Sequence, residues 1–312
     1  MFEKVLVALD FSPYSQQILD RITQIPGIQE VVLLHVVDAT RPSRMGWTCG
    51  PHIENVKIRM AEKKNLLENL GMKVHTKIDV IVNEITQGTI SHAILEIAEA
   101  ENVSLIVMGA RGINPIQELL LGSVSSFVLR HAKTNVLIMH FASVSADRKA
   151  ALHDLSSMKL FSKILVPTDF SRSASDAAAM VKTLPGIKHI VLLHVVNRVE
   201  SQQEIDNYVK ETQSLLEDMK KEFIGAGAEV NLHVRVGDPT EMILLVTDED
   251  DVSLIAMSAH GKGWFRDLLL GSTTFTVARK TKTPILVLRT DQETRKERKK
   301  HQGSPVHRGA LH

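Results

Sequence analysis

Lys4-Val5-Leu6-Val7-Ala8-Leu9-Asp10-Phe11-Ser12 and Lys163-Ile164-Leu165-Val166-Pro167-Thr168-Asp169-Phe170-Ser171 are two versions of one stretch. In each, a short apolar run ends near an aspartate, and a serine two residues later opens the next segment. The offset between them is 159, and it recurs downstream. Residues 31–37 reappear as 190–196, with His35 matched to His194. Further on the offset drops to 149. It is then held by Gly88 and Gly237, by Val103-Ser104-Leu105-Ile106 and Val252-Ser253-Leu254-Ile255, and by Gly122-Ser123 and Gly271-Ser272. Two constant offsets over so many segments mean a duplication. The fall from 159 to 149 gives the first copy ten extra residues between His35 and Gly88. The Pro-, Gly- and Ser-rich stretch at 41–52 is where they are expected.

Within each copy, strand and helix patterns alternate. In copy one, apolar strand runs are expected at 5–9, 31–37, 73–80, 105–108 and 136–140. Helices are expected after Ser12-Pro13 and at 53–70, 89–100 and 123–131, with Gly71 as the stop for the long one. Strands alternating with helices imply right-handed crossovers and a mostly parallel sheet covered on both faces. The strand runs are apolar on both alternating positions, as two-sided burial requires. The organisation expected is a first domain at 1–141, a linker at 142–160 with a short helix in 150–158, a second domain at 161–290, and a flexible basic tail at 291–312. The cluster from Arg295 to Lys300 is read as a solvated terminus rather than a nucleic-acid contact. The last strand of each copy, 136–140 and 285–289, is apolar and edge-like and needs a cover.

A length of 312 residues suits two domains. A net charge of +1 favours neither nucleic acid nor membrane. Aromatic residues make up only 4%, which argues against a stacking platform for single strands. One cysteine, Cys49, excludes an internal disulfide and fits a reducing cytoplasm. The chain runs at once into a strand pattern, so no secretory signal is expected. No apolar run approaches the ~20 residues of a spanning helix.

Ligands of open α/β sheets bind beyond the carboxyl ends of the strands. Asp10 and Asp169 stand there after the first strand of each copy. A carboxylate in that place accepts hydrogen bonds from ribose hydroxyls, although Asp-Phe-Ser before a helix is also capping chemistry. After the fourth strand comes Gly109-Ala110-Arg111-Gly112, then nine residues, then Gly122-Ser123 at a helix start. Glycines let backbone N–H groups approach a phosphate, and a helix N-terminus adds free donors and its dipole. Arg111 adds charge and Ser123 a hydroxyl. A turn or helix junction would use glycines too, but the spacing repeats in both copies. His35 and His194 are read as tolerated, part-buried strand histidines. Trp47, Cys49 and His52 lie in the extra stretch, too few for a metal set, and a loop over the site is one use for them.

The aspartate after strand one, with G-x2-G-x9-G-[ST] after strand four, resembles the universal stress protein family in its ATP-binding branch. The likeness covers both copies and leaves out the linker and tail. The resemblance implies two tandem open five-stranded parallel sheets with helices on both faces, a Rossmann-like, adenine nucleotide alpha-hydrolase-like fold. It also implies adenine held by backbone groups near strands one and two, ribose near the aspartate, and phosphates in the glycine-rich loop. Carried onto this chain, the adenosine end of copy one falls on Ala8, Leu9, Asp10 and Val37. Its phosphate end falls on Gly109, Arg111, Gly112, Gly122, Ser123 and Val124. Copy two gives Pro167, Thr168, Asp169 and Val196, then Ala259, His260, Gly261, Gly271, Ser272 and Thr273. Copy two departs from the motif at Ser258, where the first glycine is expected, which makes copy one the safer site.

The function expected is a cytoplasmic ATP- or AMP-binding stress-response regulator with no catalytic residues, Mg2+ being an optional companion of the nucleotide. Two alternatives stand beside it. One is a slow Mg-dependent ATPase or nucleotide hydrolase. It lacks a G-x4-G-K-[ST] loop, a Ser-Gly-Gly-x-Asp-Ser loop and a compact acid/base pair. The other is an interaction module with one or both sites empty. An adenine nucleotide and an unidentified protein are the partners expected, with neither membrane nor nucleic acid. The family's dimer pairing through last strands implies a pseudo-dimer within this chain, with a homodimer of chains as a further option.

Overall fold

The computed structural model describes residues 1–40, 49–82, 88–111, 121–141, 159–197, 202–262 and 270–289. The first half holds strands β1 (Lys4–Ala8), β2 (Glu30–Asp38), β3 (Lys73–Ile81), β4 (Leu105–Gly109) and β5 (Asn135–Met139). Its helices are α1 (Pro13–Arg21), α2 (Cys49–Glu68), α3 (Ile90–Ala100) and α4 (Ser123–His131). The second half repeats the plan with β6 (Lys163–Pro167), β7 (His189–Val196), β8 (Glu229–Val236), β9 (Leu254–Ser258) and β10 (Ile285–Leu288). Its helices are α5 (Arg172–Lys182), α6 (Gln202–Gly225), α7 (Pro239–Glu249) and α8 (Ser272–Lys280).

Each half is a parallel sheet in the order 3-2-1-4-5, and the two join edge to edge into one ten-stranded sheet, β3-β2-β1-β4-β5-β10-β9-β6-β7-β8. The join is antiparallel, with Val136 opposite Val287, Leu137 opposite Leu286 and Ile138 opposite Ile285. All of β5 and β10 is buried. Pairing them satisfies a row of backbone groups that either half alone would leave at an edge. Alternate residues of each strand feed opposite faces. Val5 and Val7 pack in one core with α1 and α2, while Leu6 packs in the other with α3 and α4. Both cores run through both halves.

Local chemistry starts and stops the helices. Ser12 and Ser171 cap α1 and α5, accepting the Ser15 and Ala174 N–H groups, and Pro13 takes the first turn of α1. Gly71 follows α2 in the left-handed region at φ +85° and donates its N–H to Glu68 O. Among the described residues no helix is long and apolar enough to cross a membrane.

The strand pairs relocate the extra residues of the first half. Lys73 beside Glu30 matches Glu229 beside His189, so the offset has already fallen from 159 to 156 at β3. Only three extra residues therefore lie between β2 and β3. The other seven lie between the end of β3 and Gly88, where β8 runs directly into Gly237. The composition of 41–52 pointed to the connection that holds the smaller share, because an offset between two landmarks bounds an insertion without locating it. Residues 41–48, the linker helix expected at 150–158 and the tail at 291–312 lie outside the described residues.

Candidate functional site

The order 3-2-1-4-5 sends the chain in opposite directions from β1, so a crevice opens between the carboxyl ends of β1 and β4. In the first half a cavity of about 1000 Å3 occupies that crevice. Its wall contains Ala8, Leu9, Asp10, Val37, Gly109, Arg111, Gly122, Ser123 and Val124. Gly112 lies outside the described residues.

The β1 end is shaped by one turn. Leu9 N–H makes the last link to β2, at Leu34 O. Asp10 Oδ1 accepts the Ser12 N–H at 2.9 Å, and Phe11 between them takes φ +59°. The helix cap is therefore Ser12 rather than Asp10, and among the described residues Asp10 Oδ2 receives no donor. His35 ties the two strand ends together. Its Nδ1 lies 2.7 Å from Leu9 O and so carries the proton, and its ring meets Phe11 at 4.5 Å. Burial pushes its pKa below the usual histidine value, against the opposing pull of the bond to Leu9 O, and so favours the neutral ring.

The backbone edge that faces the cleft belongs to Val36, one residue before the expected Val37. N–H and C=O groups alternate sides along a strand, and Leu34 O already faces β1. Val36 is the next residue to face that way, past the last link that β1 makes. Val37 turns its polar groups toward β3 instead. The second half shows the same directly, since Val196 O accepts the Gly237 N–H. Val37 contributes its side chain to the core and the cavity wall.

At the phosphate end, Gly109 closes β4. A Cβ there would lie 3.1 Å from Arg111 O, and one on Gly122 would lie 3.3 Å from Ala110 O. Close approach of backbone to backbone is thus the reason for both glycines. Gly122 is bonded from its N–H to Ala110 O at 2.7 Å, and Ser125 Oγ bonds Gly109 O at 2.8 Å, so the helix start is held against the loop. Gly122 provides no side-chain cap for α4. Among the described residues, the first N–H groups of α4 have no side-chain cap of the kind Ser12 gives α1, and they stand in a cavity wall beside Arg111. Two requirements of a phosphate group, donors and positive potential, meet there.

Sequence reasoning missed Val36, Ser125, and the cavity residues Asn55, Arg59, Thr89 and Ser91. The Arg59 guanidinium sits 4.0 Å above the Phe11 ring. Val36 lies inside the repeated stretch 31–37 and Ser125 has a counterpart in Thr274, but the repeat alone does not say which backbone edge or hydroxyl faces the cleft, and Asn55, Arg59, Thr89 and Ser91 stand in no recurring motif. His52 is in the wall too. Among the described residues no group of three or more His, Cys, Asp or Glu side chains is placed to hold a metal.

The second half has the same frame with different filling. Pro167 ends β6, and Thr168 Oγ1 accepts the Phe170 N–H. Asp169 Oδ1 accepts the Ser171 N–H at 2.9 Å. Gly271 N–H bonds Ala259 O, and Ser272 and Thr273 open α8, again without a side-chain cap. Ser258 stands where Gly109 stands in the first half, and its side chain is accommodated by chemistry. Its Oγ donates to His260 O at 2.6 Å, the carbonyl matching Arg111 O. Ala259 and His260 are buried, whereas Arg111 lies in the cavity wall.

An open parallel sheet of this order, with a glycine-bounded loop and an uncapped helix start at its switch point, defines a Rossmann-like fold of the nucleotide alpha-hydrolase class. The model of the universal stress protein family matches residues 1–140 and 160–289, and the chain belongs to that family as a tandem member. A universal stress protein of Methanocaldococcus jannaschii is 32% identical over 155 residues, 42% of this chain and 96% of its own. One from Mycolicibacterium smegmatis is 23% identical over 91% of this chain and 96% of its own length. The crystal structure of one from Archaeoglobus fulgidus covers 93% of this chain and 98% of its own, at 25% identity and a TM-score of 0.64.

Proposed function

We propose that the first half binds an adenine nucleotide, ATP or AMP, and that the protein acts as a nucleotide-dependent stress-response regulator in the cytoplasm rather than as a turnover enzyme. The observation that carries this reading is the convergence of Asp10, Gly109, Arg111, Gly122 and Ser123 on one cavity at the switch point. Asp10 Oδ2 takes a ribose hydroxyl, the Val36 backbone edge takes the base, and the start of α4 with Arg111 takes the phosphates. Mg2+, where present, rides on the phosphate chain. The functional units are the halves 1–141 and 161–290. Binding shifts the protein between states only through its differential affinity for them, so regulation requires a partner that reads one state.

The test is calorimetry with ATP and AMP on the full chain, with mass spectrometry of nucleotide released from the purified protein. Adenine nucleotide is expected, and Gly122→Val removes it by placing a branched side chain against Ala110 O. Unchanged affinity in a folded Gly122→Val protein overturns the site. Steady product formation well above the uncatalysed rate overturns the non-enzymatic reading.

A further inference from the structure

We infer that the second half is latched shut by its own loop, so that the chain holds one nucleotide, in the first half, and not two. The inference rests on the nucleotide-binding reading above and deepens it. Three contacts make the latch, all within Ser258–Lys262 and the turn after β6. Ser258 Oγ donates to His260 O at 2.6 Å and ties the loop into a tight bend. The bend presses Gly261 onto Asp169, so closely that a Cβ on Gly261 would lie 2.7 Å from Asp169 Oδ2. Lys262 N–H then donates to that same oxygen at 2.7 Å.

The contacts leave little room beside the Asp169 carboxylate. Asp169 has two carboxylate oxygens. Oδ1 is taken by Ser171 N–H, which folds the turn, and Oδ2 by Lys262 N–H. Each oxygen keeps a second lone pair, but Gly261 and Lys262 are packed onto Oδ2, so a ribose hydroxyl finds room there only if the loop braced by Ser258 moves away. The neighbouring groups point the same way. His260, at the position of Arg111, is 5% exposed and packed inside. Carried back from β3 into α2, the offset of 156 puts Leu215 where the first half has Arg59, and Tyr208 where it has His52. Leu216 and Phe223 are buried as Met60 and Leu67 are, so the helix register agrees. The second half thus keeps the fold and serves as a built-in partner, supplying β10 to cover β5.

The experiment is calorimetric stoichiometry with ATP on the full chain and on Gly122→Val and Gly271→Val variants, with thermal unfolding as the check of folding. One nucleotide per wild-type chain is expected, none for Gly122→Val and one for Gly271→Val. Two per wild-type chain, or a loss in Gly271→Val while Gly122→Val still binds, overturns the latch. No binding to any of the three overturns the nucleotide reading itself. Amide hydrogen exchange reads the latch without any ligand. The Lys262 amide is expected to be protected, and the Ser258→Gly variant to exchange it about tenfold faster, as the loss of one bracing hydrogen bond implies. An unprotected Lys262 amide in the wild-type protein also overturns the inference.

Discussion

His140 follows the last residue of β5 and shows how one side chain records its surroundings. It is 8% exposed, and among the described residues its Nε2 has no hydrogen-bond partner. Burial, reinforced by the charge of Arg111, pushes its pKa down to about 4. In the unfolded chain a histidine titrates near 6.5. Between those values the unfolded state binds a proton that the folded state refuses. The stability is therefore complete above pH 6.5 and is lost as the pH falls toward 4. From pH 7 to pH 5 the loss from this residue comes to about 2 kcal/mol. Urea unfolding of a His140→Gln variant should show that much less acid sensitivity than wild type, and equal sensitivity would refute the assignment. His35 and His194 are also pushed down by burial, but they are common to both proteins and cancel. At this scale the sequence exposed Asp10, Gly109 and Gly122, because backbone approach and a carboxylate at a strand end leave a spaced signature. It did not expose Ser258 as a hydrogen-bond donor to His260 O, since that depends on where a loop carbonyl turns.

The elements divide by how they begin. Ser12, Ser171 and Asp238 each accept an N–H from the first turn of their helices. Gly122 and Gly271 do not, and these are the helices at the switch points. A carboxylate introduced at the first position of α4 should therefore act in two opposite directions. In Ser123→Glu the side chain complements the helix dipole and is expected to stabilise the fold by up to about 1 kcal/mol. It also puts negative charge where the proposed site holds the phosphates, and ATP affinity is expected to fall at least about tenfold. Chemical denaturation and calorimetry on the same sample check the pair, and a variant that binds ATP normally would place the phosphates elsewhere. Strand and helix order were legible because periodicity is local. Two features at this scale were not. Whether Val36 or Val37 faces the cleft depends on the phase of β2 against β1. The place of the extra residues depends on the pairing of β3.

Across the whole molecule the two halves form one body, since β5 and β10 pair in the middle of the sheet and each core contains residues from both halves. Leu137 and Leu286 face each other at that join and are fully buried. Leu286→Ala is expected to cost about 2–5 kcal/mol. It should lower the stability of both halves together, because the cavity it leaves lies between them. Calorimetry should show one unfolding transition in the wild-type protein, and two well-separated transitions would show that the halves melt independently.

By itself the sequence determined the duplication, the alternation of strands and helices, and the residue types at the switch point. Repeats, periodicity and turn residues are written in local order along the chain. Only the tertiary structure decided that Val36 offers its backbone edge to the cleft and that the first half's extra residues lie mostly after β3. It also decided that Lys262 closes on Asp169 in the second half. Each of these turns on which distant backbone group stands opposite another. That is settled by strand register and loop packing, and residues 93 positions apart carry no local mark of their meeting.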